Sequence, residues 1–187
     1  LPAPILRLMS GGGVVYQGGR TLDPRLQFLA AAGRRAPGMQ TLSPQEARAA
    51  SAQALAMMAG KPEPGVGVQS LDIEGPEGTI PARAYRPQRQ DPEAPLIVYA
   101  HFGGGVIGDL DTCDVFCRIL ARIARCPVLS VDYRLAPEHR FPAGLEDVLA
   151  AYRWAREHAE EFGAPPGAVA IGGDSMGGNF AAIVAQE

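Results

Sequence analysis

The chain has 187 residues, 47% of them hydrophobic and 20% charged, with 23 glycines and 17 prolines. Such values fit one ordinary globular domain and exclude a disordered or fibrous segment. Seventeen Lys+Arg against 20 Asp+Glu leave a formal net charge of −3, so no basic face is available for a phosphate backbone and nucleic acid is not an expected partner.

Apolar stretches such as Leu96 to Ala100 and Val169 to Ile171 are interrupted by Gly, Pro or charge. All stop far short of the roughly 18 residues of a membrane span, so a soluble protein is expected. Three cysteines are an odd set, which favours free thiols in a reducing compartment and a cytoplasmic location.

Residues 1–20 mix Gly11, Gly12 and Gly13 with scattered apolar residues and no clear period, and read as a mobile leader. Arg7 interrupts the apolar start, and no cationic region precedes it, which disfavours a signal peptide. Residues 21–60 carry two helix starts. Asp23 is an N-cap before Pro24, with Leu26, Leu29 and Ala30 on one face; Ser43, Pro44 and Glu46 form a capping box. In the second helix Ala47, Ala50, Ala54, Leu55 and Met58 fall at helical spacing. The stretch from Gly60 to Gly67 reads as a linker.

From Val68 the period becomes two, with 68–74 and 79–86 flanking Gly75-Pro76-Glu77-Gly78, which predicts an antiparallel hairpin. Strand and helix then alternate. Strands are predicted at 95–100, 127–132 and 168–172. Helices are predicted at 111–125, through Val115, Phe116, Ile119, Leu120 and Ile123, then at 142–162, and from Met176. Apolar strands separated by amphipathic helices imply an α/β class with a mostly parallel sheet and an antiparallel N-terminal hairpin.

Gly173-Asp174-Ser175-Met176-Gly177 is a Gly-x-Ser-x-Gly run between a predicted strand and a predicted helix. A serine on so sharp a turn projects from the sheet, and its neighbours two before and two after must be small for the backbones to pass. The N–H of Met176, at a helix N-terminus, can face a developing oxyanion. The alternative, a phosphate-binding turn, lacks the lysine of a Walker loop and the spacing of a dinucleotide fingerprint.

His101-Phe102-Gly103-Gly104-Gly105 follows the strand ending at Ala100. A glycine run there brings two N–H groups close to a substrate oxygen without a side-chain clash.

With the block Asp132-Tyr133-Arg134-Leu135-Ala136-Pro137-Glu138-His139 and then Phe141-Pro142-Ala143, these motifs resemble the hormone-sensitive lipase family of α/β-hydrolases from about Leu22 onward. The resemblance implies a serine carboxylesterase acting on small, short-chain esters, with residues 21–60 as a helical cap and 61–187 as an incomplete hydrolase core. Ser175 is then the nucleophile. Gly103, Gly104 and Met176 supply the oxyanion hole, or Gly104 and Gly105 with a one-residue slip. His101 and Asp174 support the loops.

Two departures stand out. Phe102 takes the place of the family loop's first glycine while Gly105 takes that of its aromatic residue, and Met176 replaces the usual alanine. A glycine position needing φ > 0 would penalise Phe102. The resemblance also implies a triad in the order Ser, acid, His. After Ser175 the chain offers only Glu187 and no histidine, so the acid and base are expected beyond Glu187.

His101, His139 and His158 are read as structural or solvated. Asp132, Arg134 and Glu138 are read as an ion-pair network. Cys113 and Cys117 are read as free, partly buried thiols, and Asp109, Asp111 and Asp114 as carboxylates favourable to a helix N-terminus. No metal or cofactor is expected. The expected partner is a small ester, with a homodimer as the one protein partner considered. A non-catalytic ligand-binding member of the same fold is the rival reading, along with an inactive fragment.

Overall fold

The computed structural model describes residues 1–35 and 37–187. They form two compact units, Leu1–Ser43 and Pro44–Glu187, so the division falls inside the segment 21–60. The first unit holds α1 (Ala3–Met9), β1 (Tyr16–Gln17), β2 (Arg20–Thr21) and α2 (Pro24–Gly33). Residues 1–20, read from the sequence as a mobile leader with no clear period, thus carry a helix and part of a two-strand ladder. Leu6 of α1 is buried, as are Gln27 and Ala31 of α2, and Gln27 Nε2 donates to Gly13 O at 3.3 Å. Gly18 and Gly19, at φ 57° and 77°, make the two-residue turn that closes β1 on β2; both positions need the left-handed conformation that glycine tolerates. The Asp23 cap is present, with Arg25 N donating to its Oδ1 at 2.8 Å. The expected apolar face of α2 is not the buried one: Leu26, Leu29 and Ala30 are exposed.

In the second unit α3 (Pro44–Met58) precedes β3 (Val66–Gly75) and β4 (Gly78–Pro87). There follow β5 (Leu96–Ala100), α4 (Asp114–Ala124), β6 (Val128–Val131), α5 (Ala143–His158), β7 (Val169–Gly173) and α6 (Met176–Val184). The sheet order is β3-β4-β6-β5-β7. The β3–β4 and β4–β6 pairs are antiparallel, while β5 runs parallel to both β6 and β7. The sheet is thus parallel from β6 to β7, with the expected hairpin at the opposite edge.

Strand alternation divides the core. Leu96, Val98 and Ala100 of β5 join Val148, Ala151 and Phe180 in one apolar cluster with α5 and α6, and Tyr99 joins Cys113, Cys117 and Ala121 in another with α4. The buried stripe of α4 is therefore Cys113, Cys117 and Ala121 at i, i+4 and i+8, with Leu120 packed beside it. Of the expected apolar face, Phe116 is 50% and Ile123 69% exposed. Small side chains let α4 approach a sheet face already filled by Tyr85 and Tyr99. On β7, Ala170 is exposed while Val169 and Ile171 are half-buried, because among the described strands β7 is paired only with β5.

Candidate active site

Strand β7 ends at Gly173 and α6 begins at Met176, leaving Asp174 and Ser175 to make the turn. Ser175 stands at φ 53°, ψ −117°, and is exposed. A non-glycine residue held there costs on the order of 1–3 kcal/mol and persists only because its surroundings fix it. A Cβ at Gly173 would lie 2.5 Å from Ala100 O, and one at Gly177 would overlap the same carbonyl. The two small residues around the serine are thus demanded by the end of β5, against which the turn is pressed. Asp174 ties the turn to that strand, accepting from Tyr99 Oη at 2.6 Å. Burial, then this hydrogen bond, pushes the Tyr99 phenol pKa up.

The glycine loop starts where β5 stops. Gly103, Gly104 and Gly105 have φ 130°, 64° and 72°. Phe102 is not among the positive-φ residues, so the left-handed backbone falls wholly on the three glycines and the aromatic residue carries no such strain. A Cβ at Gly103 would overlap the Ile107 carbonyl, whereas Gly104 faces open space. Gly103 O accepts from Val106 N and Ile107 N, each at 3.0 Å, and Gly105 O accepts from Ala136 N at 2.7 Å. Among the described residues, the N–H groups of Gly103 and Gly104 have no acceptor. A Cβ at Gly105 would lie 3.9 Å from Met176 Cγ, which puts loop and serine turn side by side.

His101 is fully buried. Its Nδ1 donates to Phe102 O at 2.7 Å, its ring stacks on Tyr133 at 4.3 Å, and Tyr133 Oη donates to His101 O at 2.7 Å. Burial lowers its pKa. Its Nε2 lies 4.0 Å from Asp132 Oδ1. His158 stacks on Trp154 with centroids 4.1 Å apart, and Nδ1 donates to Trp154 O at 2.8 Å. No hydrogen bond links any of the three histidines to Ser175 among the described residues.

The expected network of Asp132, Arg134 and Glu138 is not formed. Arg134 pairs instead with Asp147 at 2.8 Å and Glu77 at 2.6 Å, and Glu138 pairs with Arg48 at 2.6 Å. Asp132 makes no ion pair with Arg134; burial, with the charge of Asp109 adding and Arg83 opposing, raises its pKa to about 6.

The other acids are engaged by protein donors. Asp109 Oδ1 accepts from the backbone of Asp111 and Thr112, Asp111 meets Arg83 at 2.8 Å, and Asp114 meets Arg118 at 2.7 Å. Cys113, Cys117 and Cys126 are free and buried. The hydrogen bond with Cys113, together with burial, pushes the Cys117 thiol up. Arg48 escaped the sequence reading; its signal was being the only charged residue between Ala47 and Gly60.

A strained serine at a strand-to-helix turn, backed by a glycine loop from the neighbouring parallel strand, is the arrangement of the α/β-hydrolase fold, and the chain has that fold. Residues 97–187 match the family described as alpha/beta hydrolase fold. The chain is 47% identical to a carboxylic ester hydrolase, LipN, of Mycobacterium tuberculosis, over all of this chain and 50% of that protein. It is 40% identical to an ethyl acetate hydrolase of Pseudomonas putida, over 80% of this chain and 48% of that protein. Among solved structures, an ester hydrolase from the metagenome of Lake Arreo, in complex with a bipyridine phosphonate derivative, superposes with a TM-score of 0.79. It is 42% identical and covers 87% of this chain and 52% of its own. The chain spans about half the length of the curated relatives it matches. No helix among the described residues is long and apolar enough to cross a membrane.

Proposed function

We propose that the whole protein hydrolyses small, short-chain carboxylic esters through an acyl-enzyme on Ser175. The observation that carries this is the exposed Ser175 held at φ 53° beside a glycine loop whose Gly103 and Gly104 N–H groups have no acceptor among the described residues. Binding alone has no need of a strained, exposed nucleophile. In this reading Ser175 Oγ attacks the ester carbonyl carbon while its proton passes to a histidine base. The carbonyl oxygen becomes an oxyanion facing the N–H groups of Gly103, Gly104 and Met176. Collapse expels the alcohol, which takes the proton back, and water then releases the acid by the same steps.

The base is not His101, whose Nδ1 is committed to Phe102 O and whose ring is buried against Tyr133. We assign the base and its acid partner to polypeptide outside residues 1–187. His101 and Asp174 shape the loops by binding Phe102 O and Tyr99 Oη. The ethyl acetate hydrolase among the relatives supports a short acyl chain.

The test is turnover of p-nitrophenyl butyrate and p-nitrophenyl laurate by the full-length protein. The butyrate ester is expected to be the better substrate, and Ser175→Ala to lower kcat by on the order of 10⁶-fold. Retained turnover in the alanine variant would overturn the assignment.

A further inference from the structure

The Arg48 guanidinium makes four hydrogen bonds. Nε donates to Val106 O at 2.8 Å, Nη2 to Ala136 O at 2.9 Å, and Nη1 and Nη2 to the two oxygens of Glu138 at 2.9 and 2.6 Å. The two carbonyls belong to the segments that frame the glycine loop. Val106 follows Gly105 directly, and the N–H of Ala136 donates to Gly105 O at 2.7 Å. One side chain from α3 therefore closes a ring of contacts around Gly105. The bidentate pair with Glu138 fixes the plane of the fork, as rigid guanidinium and carboxylate geometry requires. The same contact holds the Glu138 carboxyl down at about 2.

We propose that Arg48 is a positioning residue for the oxyanion-binding loop, setting the height of Gly103 to Gly105 through Val106 O and Ala136 O. The proposal rests on the ester-hydrolase reading. Oxyanion donors act only when placed about 2.7–3.1 Å from where the charge develops, so a loosened loop weakens the transition state more than the bound substrate. A lysine at this position presents one compact ammonium, which does not span two carbonyls and a carboxylate as the fork does.

The experiment compares full-length parent, Arg48→Ala, Arg48→Lys, Glu138→Gln and, as a control, Arg122→Ala, whose guanidinium meets Glu63 at 2.8 Å away from the loop. The readouts are kcat and KM on p-nitrophenyl butyrate and hydrogen exchange of the peptide spanning 102–108. Arg48→Ala is expected to lower kcat about 10- to 100-fold, less than removal of an oxyanion donor, with KM within about 3-fold. Arg48→Lys should lose most of that factor, Glu138→Gln a smaller part, and Arg122→Ala none. Exchange in 102–108 should quicken in Arg48→Ala while β5 and α5 stay protected.

An unchanged kcat, a loss carried wholly by KM, or unchanged loop exchange overturns the proposal. Should Arg48→Ala fail to fold, Arg48→Lys carries the same test, and parent-like kcat there overturns it. Turnover surviving Ser175→Ala would refute the ester-hydrolase reading separately, with loop exchange still deciding whether Arg48 holds the loop.

Discussion

Beside the glycine loop, burial sets the charge of two neighbours. His101 is fully buried, which lowers its pKa, and its Nε2 lies 4.0 Å from Asp132 Oδ1. Burial, with the charge of Asp109 adding and Arg83 opposing, raises the Asp132 carboxyl to about 6, against about 3.9 for a free aspartate. A folded state that binds the proton more tightly than the unfolded chain loses stability as pH rises through that interval. The parent should therefore weaken relative to Asp132→Asn between pH 4 and pH 7, as read from the difference in urea midpoints at each pH. A difference that stays constant, or grows in the parent's favour, would show that Asp132 is not desolvated.

Legibility at this scale was uneven for a physical reason. The glycines at 173 and 177 are required by a carbonyl that the motif itself implies. The partners of Glu138 and Arg134 were not legible in the block that contains them, since Arg48 lies 90 residues away from Glu138 and Asp147 lies 13 from Arg134. Charges close in sequence need not face one another.

Helix α4 shows how far periodicity reaches. Its existence and approximate span follow from the apolar spacing, but two stripes of the helix are apolar, and hydrophobicity alone does not choose between them. Side-chain depth does. Cys113, Cys117 and Ala121 are small enough to sit against Tyr85 and Tyr99, leaving Ile123 exposed and Phe116 half-exposed with its ring at the edge of the cluster, 5.2 Å from that of Tyr99. Two substitutions distinguish the stripes. Ala121→Leu should cost about 1–3 kcal/mol by overpacking, and Ile123→Gln should change stability by no more than about 0.5 kcal/mol. Urea denaturation of the full-length variants checks both, and the reverse order would mean that the helix is turned the other way. The short β1–β2 ladder escaped for a different reason: two-residue strands have no period to read, and only Gly18-Gly19 announced the turn.

Across the whole molecule, the parallel pairing of β5 with β7 is what assembles the site. Their register sets Ala100 opposite Gly173, so the residues that follow each strand leave the sheet side by side. Motifs about 70 residues apart in sequence thereby become neighbours at the carboxyl ends of adjacent strands, the place where open α/β sheets bind ligands. The order of the elements and the identity of the serine turn were legible because each rests on local pattern. The Nδ1 contact of His101 with Phe102 O and its stacking on Tyr133, 32 residues away, were not legible, since no sequence pattern marks either partner.

The central claim is that Ser175 is an activated nucleophile in the full-length protein. Its most direct test is reaction with a fluorophosphonate, followed by peptide mass spectrometry. One phosphonyl group on the peptide containing Ser175, and none on the Ser175→Ala variant, is the expected result; a folded, unlabelled protein, or a label on another residue, would contradict it.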